Sequence, residues 1–201
     1  PTSVEILLDA DAKINFKDNT GVTALILAAL GQNAHITKIL LNKGADVHIK
    51  TNDGANVILY AALKGNVDVM KLLLDAKANA NTKSAEGSTP LMIASQHGHI
   101  EVVKLLIEKG KARVNSWNQF GGTALITAAY AGHNDVVKYL IEKGANIDTR
   151  QNSGETALLL ASEKQHTDVV KTLMDAGAKQ YVRMNTVDDS VTPASTSTEA
   201  D

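Results

Sequence analysis

The stretch Gly87-Ser-Thr-Pro-Leu-Met-Ile-Ala-Ser-Gln-His-Gly-His-Ile-Glu-Val-Val-Lys-Leu-Leu-Ile-Glu-Lys-Gly110 decides the fold, because its pattern occurs five times along the chain. Each copy opens on a glycine that precedes a short apolar segment, and a second segment follows in the same register. The opening glycines are spaced 33, 33, 34 and 33 residues apart and are Gly21, Gly54, Gly87, Gly121 and Gly154. A fixed period of this length predicts a repeat architecture.

Each copy predicts two helices. The first segment is almost entirely apolar and rich in alanine, so its helix needs cover on most sides. The second alternates apolar and charged residues at helical spacing, which predicts one buried and one solvated face. A residue able to cap the first helix precedes it in each copy, namely Thr23, Asn56, Thr89, Thr123 and Thr156. The residues predicted to end second helices in the left-handed conformation are Gly44, Gly110, Gly144 and Gly177.

This unit resembles the ankyrin family, whose repeat follows the pattern G-x-T-P-L-H-x-A-A-x-x-G-x-x-x-x-V-x-x-L-L-x-x-G-A and forms a β-turn and two antiparallel helices. The resemblance runs from residue 4 to about residue 181. It implies an all-α repeat solenoid, an ankyrin-repeat stack of helix-turn-helix units with short β-turn fingers. The predicted boundaries are a partial repeat at 1–17, repeats at 18–50, 51–83, 84–117 and 118–150, a C-terminal capping repeat at 151–181, and a disordered acidic Ser/Thr-rich tail at 182–201.

The copies depart from the family pattern in two ways. The histidine of the T-P-L-H motif is absent throughout, which predicts that apolar packing replaces the polar cross-links between repeats. Its place is taken by Ile26, Leu59, Met92, Ile126 and Leu159. Several expected glycines are also replaced or displaced, so these helix ends are predicted to be less regular. The positions concerned are Asp11, Lys77 and Gln165, together with Gly31, which falls one residue early.

The N-terminus resembles an incomplete repeat. The chain opens at Pro1 without an initiator methionine, and Val4 to Leu8 match only the second half of a unit. We therefore expect that residues upstream have been lost. Without them the apolar face of the first full unit is uncovered, which repeat arrays normally avoid.

Composition and charge exclude several classes of function. The formal net charge is −2, and the body of the chain is close to neutral because four acidic residues and one arginine fall in the last twenty positions. Such a body lacks the electropositive field that nucleic acid requires. The absence of cysteine excludes disulfides and thiolate chemistry. No apolar run approaches the roughly 20 residues of a membrane helix. We predict no nucleic-acid or membrane partner and a cytoplasmic location, with a secreted or periplasmic one left open.

No motif for catalysis or for a cofactor occurs in the sequence. His99, His133 and His166 recur at one position of the repeat and are predicted to be structural, at the start of the second helix. His97 and His99 are close in sequence, but no carboxylate or cysteine lies at a coordinating spacing, so no metal site is predicted. We expect neither enzyme activity nor a bound cofactor.

The fourth copy is unusual where the resemblance implies partner binding, on the concave face lined by the turns and the first helices. Trp117, Phe120 and Tyr130 stand where the other copies carry mostly small, polar or charged residues. Aromatic side chains are frequent hot spots of protein interfaces, so these three are predicted to anchor a partner. Alternatively, Trp117 covers the turn that an extra residue lengthens near Lys111. The predicted contact set is completed by Leu63, Gln96, His97 and Arg150.

The other aromatic residues have different expected roles. Tyr60 and Tyr139 fall at apolar helix positions and are predicted to lie in the core. Phe16 and Tyr181 flank the terminal units and are expected to help seal them.

Together these features predict a monomeric, non-enzymatic scaffold or adaptor that binds a protein partner on its concave face. The alternative is a regulatory or targeting segment of a larger protein whose active domain lies upstream of residue 1. A third hypothesis is self-association through the uncovered N-terminal face.

Overall fold

The computed structural model describes residues 3, 5, 6, 10 and 12–180. Within 12–180 the chain forms ten helices in five consecutive pairs and no extended strand, only two isolated antiparallel bridges. The helices are α1 (Ala24–Leu30), α2 (Ala34–Asn42), α3 (Val57–Lys64), α4 (Val67–Asp75), α5 (Pro90–Gln96), α6 (Ile100–Glu108), α7 (Ala124–Ala131), α8 (Asn134–Glu142), α9 (Ala157–Glu163) and α10 (Thr167–Asp175). The all-α repeat fold predicted from the period is confirmed. The predicted disordered tail, Asp11 and Tyr181 lie outside the described residues.

The helices form two layers. The two helices of each pair contact each other, the first helices of neighbouring pairs contact in series from α1 to α9, and the second helices do the same from α2 to α10. We call the first helices inner and the second helices outer. Each pair therefore buries its apolar faces chiefly against its sequence neighbours, as expected for a solenoid.

The core is continuous along the stack. One cluster of buried side chains runs from Leu25 in α1 to Leu173 in α10. Tyr60 and Tyr139 are partly buried and pack against this cluster, so their predicted place in the core is confirmed. Phe16, which was expected to seal the first unit, is 67% exposed and covers little of it.

Four of the five predicted caps form on the inner helices. The hydroxyls of Thr23, Thr89, Thr123 and Thr156 accept hydrogen bonds from backbone N–H groups three residues later. Asn56 makes no side-chain cap, so this prediction is wrong. Its amide nitrogen instead lies 3.5 Å from Thr82 Oγ1, near the end of the same repeat.

The left-handed helix ends differ in detail from the prediction. Gly44, Gly144 and Gly177 adopt positive φ as expected, but Gly110 does not. The extra residue shifts the left-handed position to Lys111, whose φ is 55°. Lys77, Gln32 and Gln165 also have positive φ, so non-glycine residues take this conformation where a glycine is missing or displaced.

No helix in the described part of the chain is long and apolar enough to cross a membrane.

Candidate functional site

The turn before each inner helix forms a finger, and neighbouring fingers are joined through their backbones. The Asn52 N–H donates to Thr20 O at 2.9 Å, and Gln119 N–H donates to Glu86 O at 3.0 Å. The Asn152 N–H donates to Phe120 O at 3.0 Å, while its side-chain amide reaches Gln119 O at 2.8 Å. These bonds arrange the fingers in one row beside the inner helices, which we call the finger row.

Trp117 lies on the fourth finger and is 65% exposed. Lys83 of the third finger donates from Nζ to Trp117 O at 2.8 Å, and the same ammonium lies 5.9 Å from the centre of the indole ring. The indole also borders a shallow cavity of about 310 Å³ together with Lys83, Arg113, Asn115 and Ser116. Most of the Trp117 surface is open to solvent.

Phe120 and Tyr130 are the other large aromatic residues of this unit. Phe120 sits at the tip of the fourth finger and is 52% exposed, with its N–H donating to Asn118 Oδ1 at 3.0 Å. Tyr130 is at the end of α7 and is 45% exposed, with the Lys164 ammonium 4.7 Å from its ring centre. The fourth finger and the inner helix that follows it therefore present three aromatic side chains to solvent.

A cavity of about 230 Å³ lies beside Tyr130. It is bounded by side chains from three successive repeats, which are Gln96, Ile126, Thr127, Tyr130, Gln151 and Leu160. Its lining combines apolar side chains with two amides, as is common in ligand pockets. Two of the predicted contact residues, Gln96 and Tyr130, share this cavity.

Sequence reasoning missed the other four lining residues. The available signal was Thr127, which stands where the other units carry larger side chains, namely Leu27, Tyr60, Ile93 and Leu160. Its hydroxyl donates to backbone carbonyls, to Ala124 O at 3.0 Å and Met92 O at 3.2 Å. The short threonine thus leaves space that a leucine would occupy.

The remaining predicted residues are spread along the stack. Leu63 is 37% exposed at the end of α3, two repeats away from Tyr130. His97 is exposed just after α5, and Arg150 is exposed on the fifth finger, where its backbone bridges to Thr156. Gln96 and Tyr130 share one cavity, and the seven residues come from several different repeats.

The recurring histidines link neighbouring repeats. The Nε2 atoms of His99, His133 and His166 lie 3.2, 3.0 and 3.0 Å from a carbonyl oxygen. In each case this oxygen is at the end of the inner helix of the previous repeat. These carbonyls belong to Leu63, Gln96 and Tyr130. The predicted structural role is confirmed. The expectation that apolar packing replaces polar cross-links is wrong, because histidines at another position of the repeat supply them.

His97 lies close to two other imidazoles, those of His99 and His133. Its ring stacks on His99 with centroids 5.9 Å apart. Partial burial lowers the pKa of His97 below its ordinary value of 6.5, and the nearby His99 and His133 lower it further. Because the folded chain binds this proton less tightly than the unfolded chain, the stability that His97 contributes is complete above pH 6.5 and is lost as the pH falls through the folded pKa.

We expect an NMR titration of the His97 ring to show a midpoint below 6.5, since both burial and neighbouring charge oppose protonation. In His99→Gln the midpoint should rise, because one of the two repelling imidazoles is gone. A wild-type midpoint at or above 6.5, or no upward change in the variant, would contradict this assignment.

The described residues contain no group of three or more His, Cys, Asp or Glu side chains placed to hold a metal ion.

Comparison with known proteins gives concordant results. The family model described as ankyrin repeats (3 copies) matches residues 1–84, 32–116 and 111–184. Among solved structures, the crystal structure of EF0377, an ankyrin repeat protein, is 33% identical and superposes with a TM-score of 0.78. The match covers 85% of this chain and 89% of that one. A comparison with curated proteins finds no match.

Proposed function

Because the chain belongs to the ankyrin-repeat family, whose repeats are generally protein–protein interaction modules, we propose that it is a non-enzymatic scaffold. It binds a protein partner on the concave surface formed by the finger row and the inner helices. Trp117, Phe120 and Tyr130 anchor the partner, and Leu63, Gln96, His97 and Arg150 frame the contact.

The observation that carries this proposal is the exposure of three large aromatic residues within one repeat. Their exposed fractions are 65, 52 and 45% for Trp117, Phe120 and Tyr130. Exposed aromatic surface is unfavourable in water, and large exposed apolar patches on a protein often mark sites of interaction. Interface hot spots are enriched in these residue types.

The cavity beside Tyr130 also supports this assignment of the binding surface. Its volume is about 230 Å³, and Ile126 and Leu160 contribute apolar lining. The amides of Gln96 and Gln151 lie at its border and can hydrogen-bond a partner backbone. A partner residue inserted here would be desolvated on several sides, which is the usual environment of a hot spot.

Replacing Trp117, Phe120 and Tyr130 together with alanine is expected to weaken partner binding more than ten-fold, because truncating a hot-spot residue costs roughly 2 kcal/mol or more. The partner is first captured from the native source with the wild-type chain, and its affinity for each purified variant is then measured by calorimetry. The melting temperature should change little, since 45 to 65% of the surface of each residue is exposed.

The matched control replaces three exposed lysines of the outer helices, Lys38, Lys138 and Lys171, with alanine. These positions lie on the opposite layer and should leave the affinity unchanged. An aromatic variant that binds the captured partner as tightly as the wild type would refute the assigned site.

A further inference from the structure

The finger row also carries a line of side chains that are mostly positively charged. One position before each turn is occupied in successive repeats by Lys17, Lys50, Lys83, Trp117 and Arg150. All five side chains are exposed. The sequence therefore places four positive charges and one indole in a single line, which we call the basic column.

The structure shows one direct contact between successive members of this column, Lys83 and Trp117. Lys83 Nζ hydrogen-bonds Trp117 O at 2.8 Å and lies 5.9 Å from the indole centre. The backbone bonds between fingers hold the same alignment elsewhere in the row, as between Asn52 and Thr20 and between Asn152 and Phe120. One extended ligand can thus contact several members at once.

The first two lysines of the column are available to a partner. Lys17 and Lys50 form no ion pair with any residue that the structure describes. The carboxylates nearest in sequence are engaged in their own turns. Asp18 Oδ1 accepts from Thr20 N at 2.8 Å and from Val22 N at 2.9 Å. Asp53 Oδ1 accepts from the Thr51 hydroxyl, and its Oδ2 from the Tyr60 hydroxyl at 3.4 Å.

Hydrogen bonds to these turns also keep both carboxylates ionised to lower pH than usual. The Thr20 hydroxyl lowers the pKa of Asp18, and the Thr51 hydroxyl lowers the pKa of Asp53. Their lone pairs are directed into the turns, whereas the lysine ammoniums extend from the finger row.

We propose that the partner of this scaffold presents an extended acidic segment that lies along the basic column, with an apolar residue against Trp117. This inference rests on the proposed function and specifies the chemistry of the partner. Neighbouring helices pack at about 10 Å, and an extended chain in the polyproline II conformation advances about 3.1 Å per residue with every third side chain on the same face. Acidic side chains at every third residue of the segment therefore match the column.

This spacing defines a probe peptide of thirteen residues, with glutamate at its positions 1, 4, 7 and 13, leucine at 10 and serine elsewhere. Because the direction of the segment is not fixed by the column, the reversed sequence is tested as well. Binding is followed by the fluorescence of Trp117, which is the only tryptophan of the chain. The comparison peptide has glutamine in place of every glutamate.

We expect one direction of the acidic peptide to bind, and the glutamine peptide to bind about ten-fold more weakly, since several exposed ion pairs each contribute a fraction of the binding energy. Replacing Lys17, Lys50 and Lys83 with glutamate reverses their charge and should weaken binding of the acidic peptide by at least about ten-fold. The control reverses Lys38, Lys138 and Lys171, which changes the net charge equally but lies on the outer helices.

Equal binding of the acidic and glutamine peptides, or equal losses in the two charge-reversed variants, would overturn the proposal. So would preferential binding of a heparin oligosaccharide or of vesicles containing anionic lipid, because the column would then serve a polyanion or a membrane. Loss of partner capture in the aromatic variant with no acidic-peptide binding would reject this inference and leave the proposed function standing. Retained capture in that variant would count against the proposed function itself.

Discussion

Replacing Gly98 with alanine is expected to lower the free energy of unfolding by about 3 kcal/mol. Gly98 has a φ of 70°, and an added Cβ would lie 2.5 Å from Nδ1 of His133. The left-handed conformation costs alanine about 1–2 kcal/mol. The imidazole must also move, which breaks its contact with Gln96 O at 3.0 Å and costs about 1 kcal/mol more. Urea denaturation followed by circular dichroism measures the change.

Two further variants separate these contributions. Gly144 has a φ of 84°, but an added Cβ would meet nothing within 4 Å. Gly144→Ala should therefore show only the conformational cost of about 1–2 kcal/mol. When His133 is also replaced with alanine, the clash is absent. Gly98→Ala should therefore lower the free energy of unfolding less in the His133→Ala background than in the wild type. Equal losses in Gly98→Ala and Gly144→Ala would show that the imidazole yields without cost.

Truncating Leu106 to alanine should destabilise the chain by about 2–5 kcal/mol, the range for leucine in a packed core. Leu106 lies in α6, the central outer helix, and is 0% exposed. Since each repeat is stabilised by its neighbours, a cavity here weakens the packing on both sides of the third repeat. Hydrogen exchange should report faster opening in α4 and α8 as well as in α6, because these helices contact it.

Leu27→Ala serves as the matched control, because Leu27 is the same residue type and is 60% exposed. Its loss of stability should be below about 1 kcal/mol. If Leu106→Ala were no more destabilising than Leu27→Ala, the continuous core described above would be incorrect.

The periodic features of this fold follow directly from the sequence. The 33-residue spacing of the opening glycines locates every finger, and the apolar segments after them become the inner helices. The threonine caps form because a hydroxyl three residues before a backbone N–H suffices to make the bond. Such features depend on neighbours within one repeat, which the sequence displays side by side.

Features that depend on residues far apart in the sequence were harder to predict. Asn56 has the chemistry of a cap but turns to Thr82, twenty-six residues away. The histidine links join residues 36 or 37 positions apart. Because the sequence does not display such residues side by side, the links were not expected once the family histidine was found to be absent. The cavity beside Tyr130 needs three repeats to form its walls, and only the small Thr127 gave a sign of it.

The histidine links determine which fragments of the chain can preserve this surface. Each of the carbonyls of Leu63, Gln96 and Tyr130 is bonded by the imidazole of the repeat that follows it. A contact residue at the end of an inner helix is thus positioned by a repeat to which it does not belong. A fragment that stops after α8 would retain Tyr130 but lack His166, so its carbonyl would lose this restraint. The shortest fragment that preserves the geometry around Tyr130 must therefore include the complete repeat that follows α8.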